Sequence, residues 1–178
     1  MNNKFVYTPG PTRVRENVRL AISKSTTNPD IDIEFCEFYK NTCEKMASIL
    51  NTENDVYILS GEGILGLEAA CASLTEPGDK VLVIDNGIFG RGFDDFVKMY
   101  GGEVVYFSGD YTKEIDIEEL EKFLQKENDF KYATVVHCDT PTGVLNDLSK
   151  ICPLLKRYNI LTVVDSVAAM VGEEIRVD

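Results

Sequence analysis

From residue 55 onward, short runs of β-branched and aliphatic residues alternate with amphipathic stretches, and this alternation restricts the fold more than any other feature. The runs are 55–60 (DVYILS), 80–85 (KVLVID), 103–107 (EVVYF), 132–137 (YATVVH) and 160–165 (ILTVVD). Each is nearly continuous in apolar character, which reads as a strand buried on both faces. Helical periodicity fills the gaps at 64–75, 89–100, 117–127 and about 149–158. Strand–helix alternation of this kind predicts an α/β fold: a mostly parallel sheet with helices on both faces. Two further helical patterns, at 13–24 and 31–50, precede it, set off by the rigid turn Thr8-Pro9-Gly10-Pro11. The expected division is an N-terminal arm and first helix over 1–24, then a larger α/β region over 25–178. Asp116, with Glu119 three residues on, has capping-box spacing. Gly101-Gly102 offers a left-handed stop for the helix before it. Pro153 argues that the last helix starts late enough to put the proline near its first turn.

Composition excludes several functions. The net charge of −12 makes nucleic acid and anionic membrane poor partners. No apolar run approaches membrane-spanning length, and the first residues lack the apolar core of a signal peptide. The five cysteines are widely spaced without a C-x-x-C, which predicts a reduced, cytoplasmic chain without structural zinc. His137 is the sole histidine, so no His-rich metal site is expected.

Three stretches carry candidate chemistry. Gly61-Glu62-Gly63-Ile64-Leu65-Gly66 fits G-x-G-x-x-G after a strand and before a helix, and Asp85 ends the next strand where a ribose-binding acid would stand. Read mechanically, this is an NAD fingerprint. The broader physical claim is that a glycine-rich loop presents free helix N-terminal amides to an anion. A tight βα turn without ligand is the plainer alternative. Against NAD stand the two helical patterns before the strand and the second special turn, Asn86-Gly87-Ile88-Phe89-Gly90, directly after Asp85. Phe89 would lie against a planar ring or be a core aromatic of the next helix. Thr140, in the polar turn His137-Cys138-Asp139-Thr140-Pro141-Thr142-Gly143, would reach a ligand hydroxyl or satisfy its own loop. Asp165 ends an almost wholly apolar strand. A carboxylate there needs a partner, because an unpaired buried charge is too costly to keep, and a cationic ring nitrogen would serve.

These pieces, taken in order, resemble the class V aminotransferases, a branch of the pyridoxal-phosphate (PLP) enzymes. The resemblance runs through Thr8-Pro9-Gly10-Pro11, Ser60-Gly61-Glu62-Gly63 with Leu67-Glu68-Ala69-Ala70, Glu76 to Val83, Asn86 to Gly90, His137 to Leu145, and Val163-Val164-Asp165-Ser166-Val167. It implies that amides at Gly63 and Ile64, with that of Glu62, hold the cofactor phosphate. It implies Phe89 on one face of the pyridine ring, Val167 on the other, Thr140 at the phenolic oxygen and Asp165 at the ring nitrogen. The implied reaction moves an amino group from a small amino acid to a small 2-oxo acid such as pyruvate or glyoxylate, in a homodimer. A cysteine desulfurase is the alternative within PLP chemistry. It fits less well, since those enzymes tend to have histidine at the position of Phe89 and Asn-Glu-x-Gly in place of Asp139 to Gly143.

One departure from the family is large. The family's Schiff-base lysine lies some two dozen residues past the aspartate, and this chain ends at Asp178. The expectation is an inactive N-terminal portion of the large domain, or a non-catalytic remnant, accompanied by a non-native oligomer, a companion chain carrying the rest, or local disorder near the glycine loop. The family's sheet would pair the strand at 55–60 only with a later strand. That segment is expected to be orphaned, rearranged or completed by another chain, while the other four form one parallel sheet.

Overall fold

A computed structural model describes residues 5–25 and 28–178. The chain divides into two compact units. Leu59–Met170 form one. Residues up to Ile58, together with Val171–Asp178, form the other.

The first of these units is the α/β body. Its strands are β1 (Lys80–Asp85), β2 (Glu103–Ser108), β3 (Tyr132–Val136), the short hairpin pair β4 (Cys138–Asp139) and β5 (Val144–Leu145), and β6 (Leu161–Asp165). Four of them form one sheet in the order β2-β1-β3-β6, every pairing parallel. These are the four strands expected to share a sheet. The helices between them are α3 (Gly63–Leu74), α4 (Ile88–Met99), α5 (Ile117–Leu124) and α6 (Leu148–Arg157), numbered after two in the other unit.

The two-residue period of the strands sorts their side chains onto two cores. Leu82, Ile84, Ala133 and Val135 face Leu120 and Leu124 of α5 and Ile151, Leu154 and Leu155 of α6. Val81, Val83, Tyr132 and Val136 face Cys71 of α3 and Phe93 and Val97 of α4. Deep in this second layer the Tyr132 and Thr75 hydroxyls meet at 2.8 Å, and burial pushes the Tyr132 phenol up.

Local signals explain the ends. Asp116 accepts from the N–H groups of Glu118 and Glu119 at 2.9 and 3.1 Å, closing the first turn of α5 as its spacing predicts. Gly101 takes φ +83° where α4 stops. The last helix differs from expectation. It begins at Leu148, so Pro153 falls in its second turn. The cost is one missing N–H, offset by burial of Ile151, Leu154 and Leu155 on the same helix.

The chain moves outward from β1 to β2, then crosses back to β3 on β1's other side. The carboxyl ends of β1 and β3 therefore flank a topological switch point, the place where open α/β sheets bind ligands. A buried amide pair holds the loops there. Asn86 and Asn146 exchange side-chain hydrogen bonds at 2.9 and 3.2 Å. Asn146 also accepts from the Ile115 N–H at 3.0 Å and donates to the Val136 carbonyl at 2.8 Å. One side-chain pair thus ties the segments after β1, β2 and β3 together.

The other unit holds α1 (Glu16–Ile22) and α2 (Ile33–Ile49), the latter capped by Asp32, which accepts from the Glu34 N–H at 2.9 Å. Both are shorter than their sequence patterns. Residues 55–60 join no sheet. In place of a ladder, the Tyr39 hydroxyl accepts from the Ile58 N–H at 2.9 Å and donates to the Ile58 carbonyl at 3.2 Å. The expected strand is orphaned because none of the described strands pairs with it. Near the C-terminal end, the Asp178 carboxylate accepts from the Thr52 hydroxyl, the Glu53 N–H and the Asn54 amide. Among the described residues no helix is long and apolar enough to cross a membrane.

Candidate active site

Every residue singled out in the sequence for ligand binding lies in the α/β body, on segments around the carboxyl edge of its sheet. Glu62 is the N-cap of α3 but makes no side-chain cap, so the first amides of that helix keep their donors free of an intrahelical acceptor. Gly63 is needed for a close approach: a Cβ there would lie 2.8 Å from Cγ2 of Val167. The start of α3 therefore sits directly against the loop that leaves β6. Ile64 is exposed and leaves the face of that helix end open.

Asp165 is the last residue of β6 and only 7 % exposed. Its Oδ1 accepts from the Val167 N–H at 2.9 Å. Burial pushes its carboxyl above the usual carboxylate range, the Val167 N–H pulls the other way, and the nearby Asp139 carboxylate adds to the rise. Among the described residues Asp165 forms no ion pair. Behind it, the His137 N–H donates to the Asp165 carbonyl at 2.7 Å, and His137 Nδ1 lies 2.9 Å from the Ser166 hydroxyl. His137 is thus an interior imidazole that braces the end of β6.

Phe89 sits in the first turn of α4 and is 48 % exposed, whereas Phe93, one turn on, is in the core. The core-aromatic alternative therefore belongs to Phe93, and Phe89 is left facing outward. Val167 is 65 % exposed. Thr140 is half-buried at the tip of the β4–β5 hairpin, and its hydroxyl makes no hydrogen bond among the described residues. The satisfied hydroxyl of that turn is Thr142, bonded to Asp139 Oδ2 at 2.9 Å.

The dinucleotide reading loses its two supports. Asp85 already accepts from Arg91 Nη1 at 3.0 Å and from the Tyr111 hydroxyl at 2.6 Å, which leaves it poorly placed to take a ribose. In a dinucleotide fingerprint the third glycine lets helix and strand pack closely. Here a Cβ on Gly66 would meet nothing within 4 Å. Sequence reasoning assigned no role to Arg91, Tyr111 or the Asn86–Asn146 pair. Arg91 meets Asp85 across the turn between β1 and α4, whereas the partners of Tyr111 and of the two asparagines are set by strand order and no local spacing encodes them. Among the described residues no cluster of His, Cys, Asp and Glu could hold a metal ion.

The start of α3, whose first amides lack an intrahelical acceptor, and the buried Asp165 thus meet through one loop residue, Val167. The family model for class V aminotransferases matches residues 8–178, and the chain belongs to that family. An uncharacterized aminotransferase of Methanocaldococcus jannaschii is 32 % identical over 175 residues, covering 98 % of this chain and 45 % of the relative. Two crystal structures superpose with a TM-score of 0.90. Pyridoxamine–pyruvate aminotransferase from Mesorhizobium loti is 28 % identical over 97 % of this chain and 44 % of its own. Ureidoglycine–glyoxylate aminotransferase from Bacillus subtilis is 30 % identical over 96 % and 44 %. The chain thus spans less than half the length of these relatives.

Proposed function

We propose that this chain is the cofactor-binding portion of a PLP-dependent class V aminotransferase. The protein it represents would pass an amino group from a small amino acid to a small 2-oxo acid, pyruvate or glyoxylate. The observation that carries this reading is the contact of Gly63 with Val167, which brings the free amides of α3 next to the buried Asp165.

The residues present fit the group. The amides of Gly63 and Ile64, with that of Glu62, would bind the phosphate at the positive end of α3. Asp165 would hold a proton on the ring nitrogen, and the resulting cation supplies the counter-charge its buried carboxyl lacks. Phe89 and Val167 would cover the two ring faces and exclude water, and the unpartnered Thr140 hydroxyl would bond the phenolic oxygen. When bound, the cofactor takes up the electron pair released as the amino acid loses its α-proton.

Because it spans less than half the length of these relatives, this chain alone is expected to bind cofactor without turning over. The protein would assemble as a homodimer, and a companion chain would carry what the longer relatives have beyond this span. The pyruvate and glyoxylate named for the two crystal structures favour the same acceptors here. A reducing compartment such as the cytoplasm suits five free cysteines.

The test is a thermal melt of the chain with PLP, pyridoxamine 5′-phosphate or NAD. Stabilisation by the two vitamin phosphates, and none by NAD, is expected. Stabilisation by NAD alone would overturn the reading, and measurable turnover by this chain would overturn the proposed inactivity.

A further inference from the structure

Asp139 is 1 % exposed, and its carboxylate is engaged by donors from two separate loops. Oδ1 accepts from the Phe89 N–H at 3.1 Å, and Oδ2 accepts from the Thr142 hydroxyl at 2.9 Å and the Thr142 N–H at 3.3 Å. Its own carbonyl accepts from the Gly143 N–H at 2.8 Å, which shapes the hairpin turn. Phe89 is the second residue of α4, so its N–H has no acceptor within that helix. The N-cap of α4 is Gly87, which has no side chain to offer. Asp139 therefore caps α4 from a neighbouring hairpin, and its negative charge suits the positive end of the helix.

Gly87 makes the arrangement possible. A Cβ there would lie 2.4 Å from Asp139 Cγ, 2.6 Å from Oδ1 and 2.8 Å from Cβ. No side chain at 87 can coexist with the carboxylate in this position. The contact joins the turn carrying Phe89 to the turn carrying Thr140, the two side chains assigned to the cofactor ring.

We propose that Asp139 is a positioning residue for the cofactor ring: by capping α4 from the hairpin, it fixes Phe89 and Thr140 relative to each other. The inference rests on the PLP reading above. It separates the site into a phosphate end, built on α3, and a ring end, whose geometry depends on Asp139.

The experiment titrates pyridoxamine 5′-phosphate and, separately, inorganic phosphate into the chain and into the variants Asp139→Asn, Gly87→Ala and the pair. The amide of Asn presents a donor to the Thr142 N–H, so it breaks the hairpin half of the clamp while preserving size. Asp139→Asn is expected to weaken pyridoxamine phosphate about tenfold, as loss of a hydrogen bond to a charged group would, and to leave inorganic phosphate unchanged. Gly87→Ala should do the same by displacing the carboxylate, and the pair should lose no more than either alone. Hydrogen exchange should accelerate at the Thr142 amide in Asp139→Asn and at the Phe89 amide in Gly87→Ala and in the pair, while Val83 and Val135 stay protected. Equal binding of pyridoxamine phosphate by Asp139→Asn would overturn the inference alone. A parallel loss of inorganic phosphate would overturn it too, by showing a general structural role. Absence of pyridoxamine phosphate binding in the unaltered chain, with the Phe89 amide protected, would overturn the PLP reading and this inference with it.

Discussion

The two units of this chain handle apolar residues in opposite ways. In the α/β body, strands such as Lys80–Asp85 are buried on both faces, and helices with one apolar stripe complete each layer. In the other unit, none of the described residues is fully buried, although α2 carries Ile33, Phe38 and Ile49, all exposed. Both regions have helices of ordinary composition. What differs is a partner surface within the chain. Helical propensity and capping form a helix locally, but packing supplies most of its stability. The same holds for 55–60, whose apolar pattern is as strand-like as that of β1, yet which is bonded through one tyrosine hydroxyl in place of a ladder.

If burial is what separates the units, truncations should rank accordingly. Leu82→Ala opens a cavity between β1 and the α5–α6 layer and should cost about 2–5 kcal/mol in urea unfolding. A loss under about 1 kcal/mol would erase the contrast. Asn146→Ala strands the buried Ile115 N–H and the Asn86 side-chain carbonyl, and should cost about 1–3 kcal/mol by the same assay. Asp116→Ala removes the cap of α5 and should cost about 1 kcal/mol. Phe38→Ala, on the exposed α2, should stay within about 0.5 kcal/mol in the ligand-free chain, and a core-sized loss there would show a partner surface for that helix.

A pH series sharpens the same comparison at the site. Burial raises the Asp165 carboxyl in the folded chain relative to the unfolded chain. The folded state therefore holds that proton more tightly, and stability from this group is full below the unfolded carboxylate range. It is lost as pH rises through the folded value. Asp165→Asn, which removes the buried charge, should raise the melting temperature at neutral pH and leave it nearly unchanged in acid. A lower melting temperature at neutral pH would mean that the carboxylate has a stabilising partner.

Much of the body was legible because each strand advertises burial on both faces and each helix its single stripe. The parallel order follows from that alternation, and the family resemblance supplied the pairing. Asp165 was legible for a local reason, an acid at the end of an apolar run. Gly63 was legible as a helix start, but its contact with Val167 was not. Asp139 was visible only as part of a polar turn, because its role depends on Gly87, fifty-two residues away by number (139 minus 87) and adjacent only once β1 and β3 pair. The Asn86–Asn146 pair was hidden for the same reason. The place of Pro153 was misjudged because local proline geometry was weighed without the three buried residues that hold α6 in place.

The central claim is that Asp165 and the α3 amides grip opposite ends of one molecule. Phosphorus and ring-nitrogen NMR of labelled pyridoxamine 5′-phosphate, bound to the chain and to Asp165→Ala, tests it directly. The account predicts a bound phosphorus signal in both proteins, with the ring nitrogen kept protonated above its free titration range only when Asp165 is present. A ring nitrogen that titrates as it does in free solution, in the presence of Asp165, would contradict it.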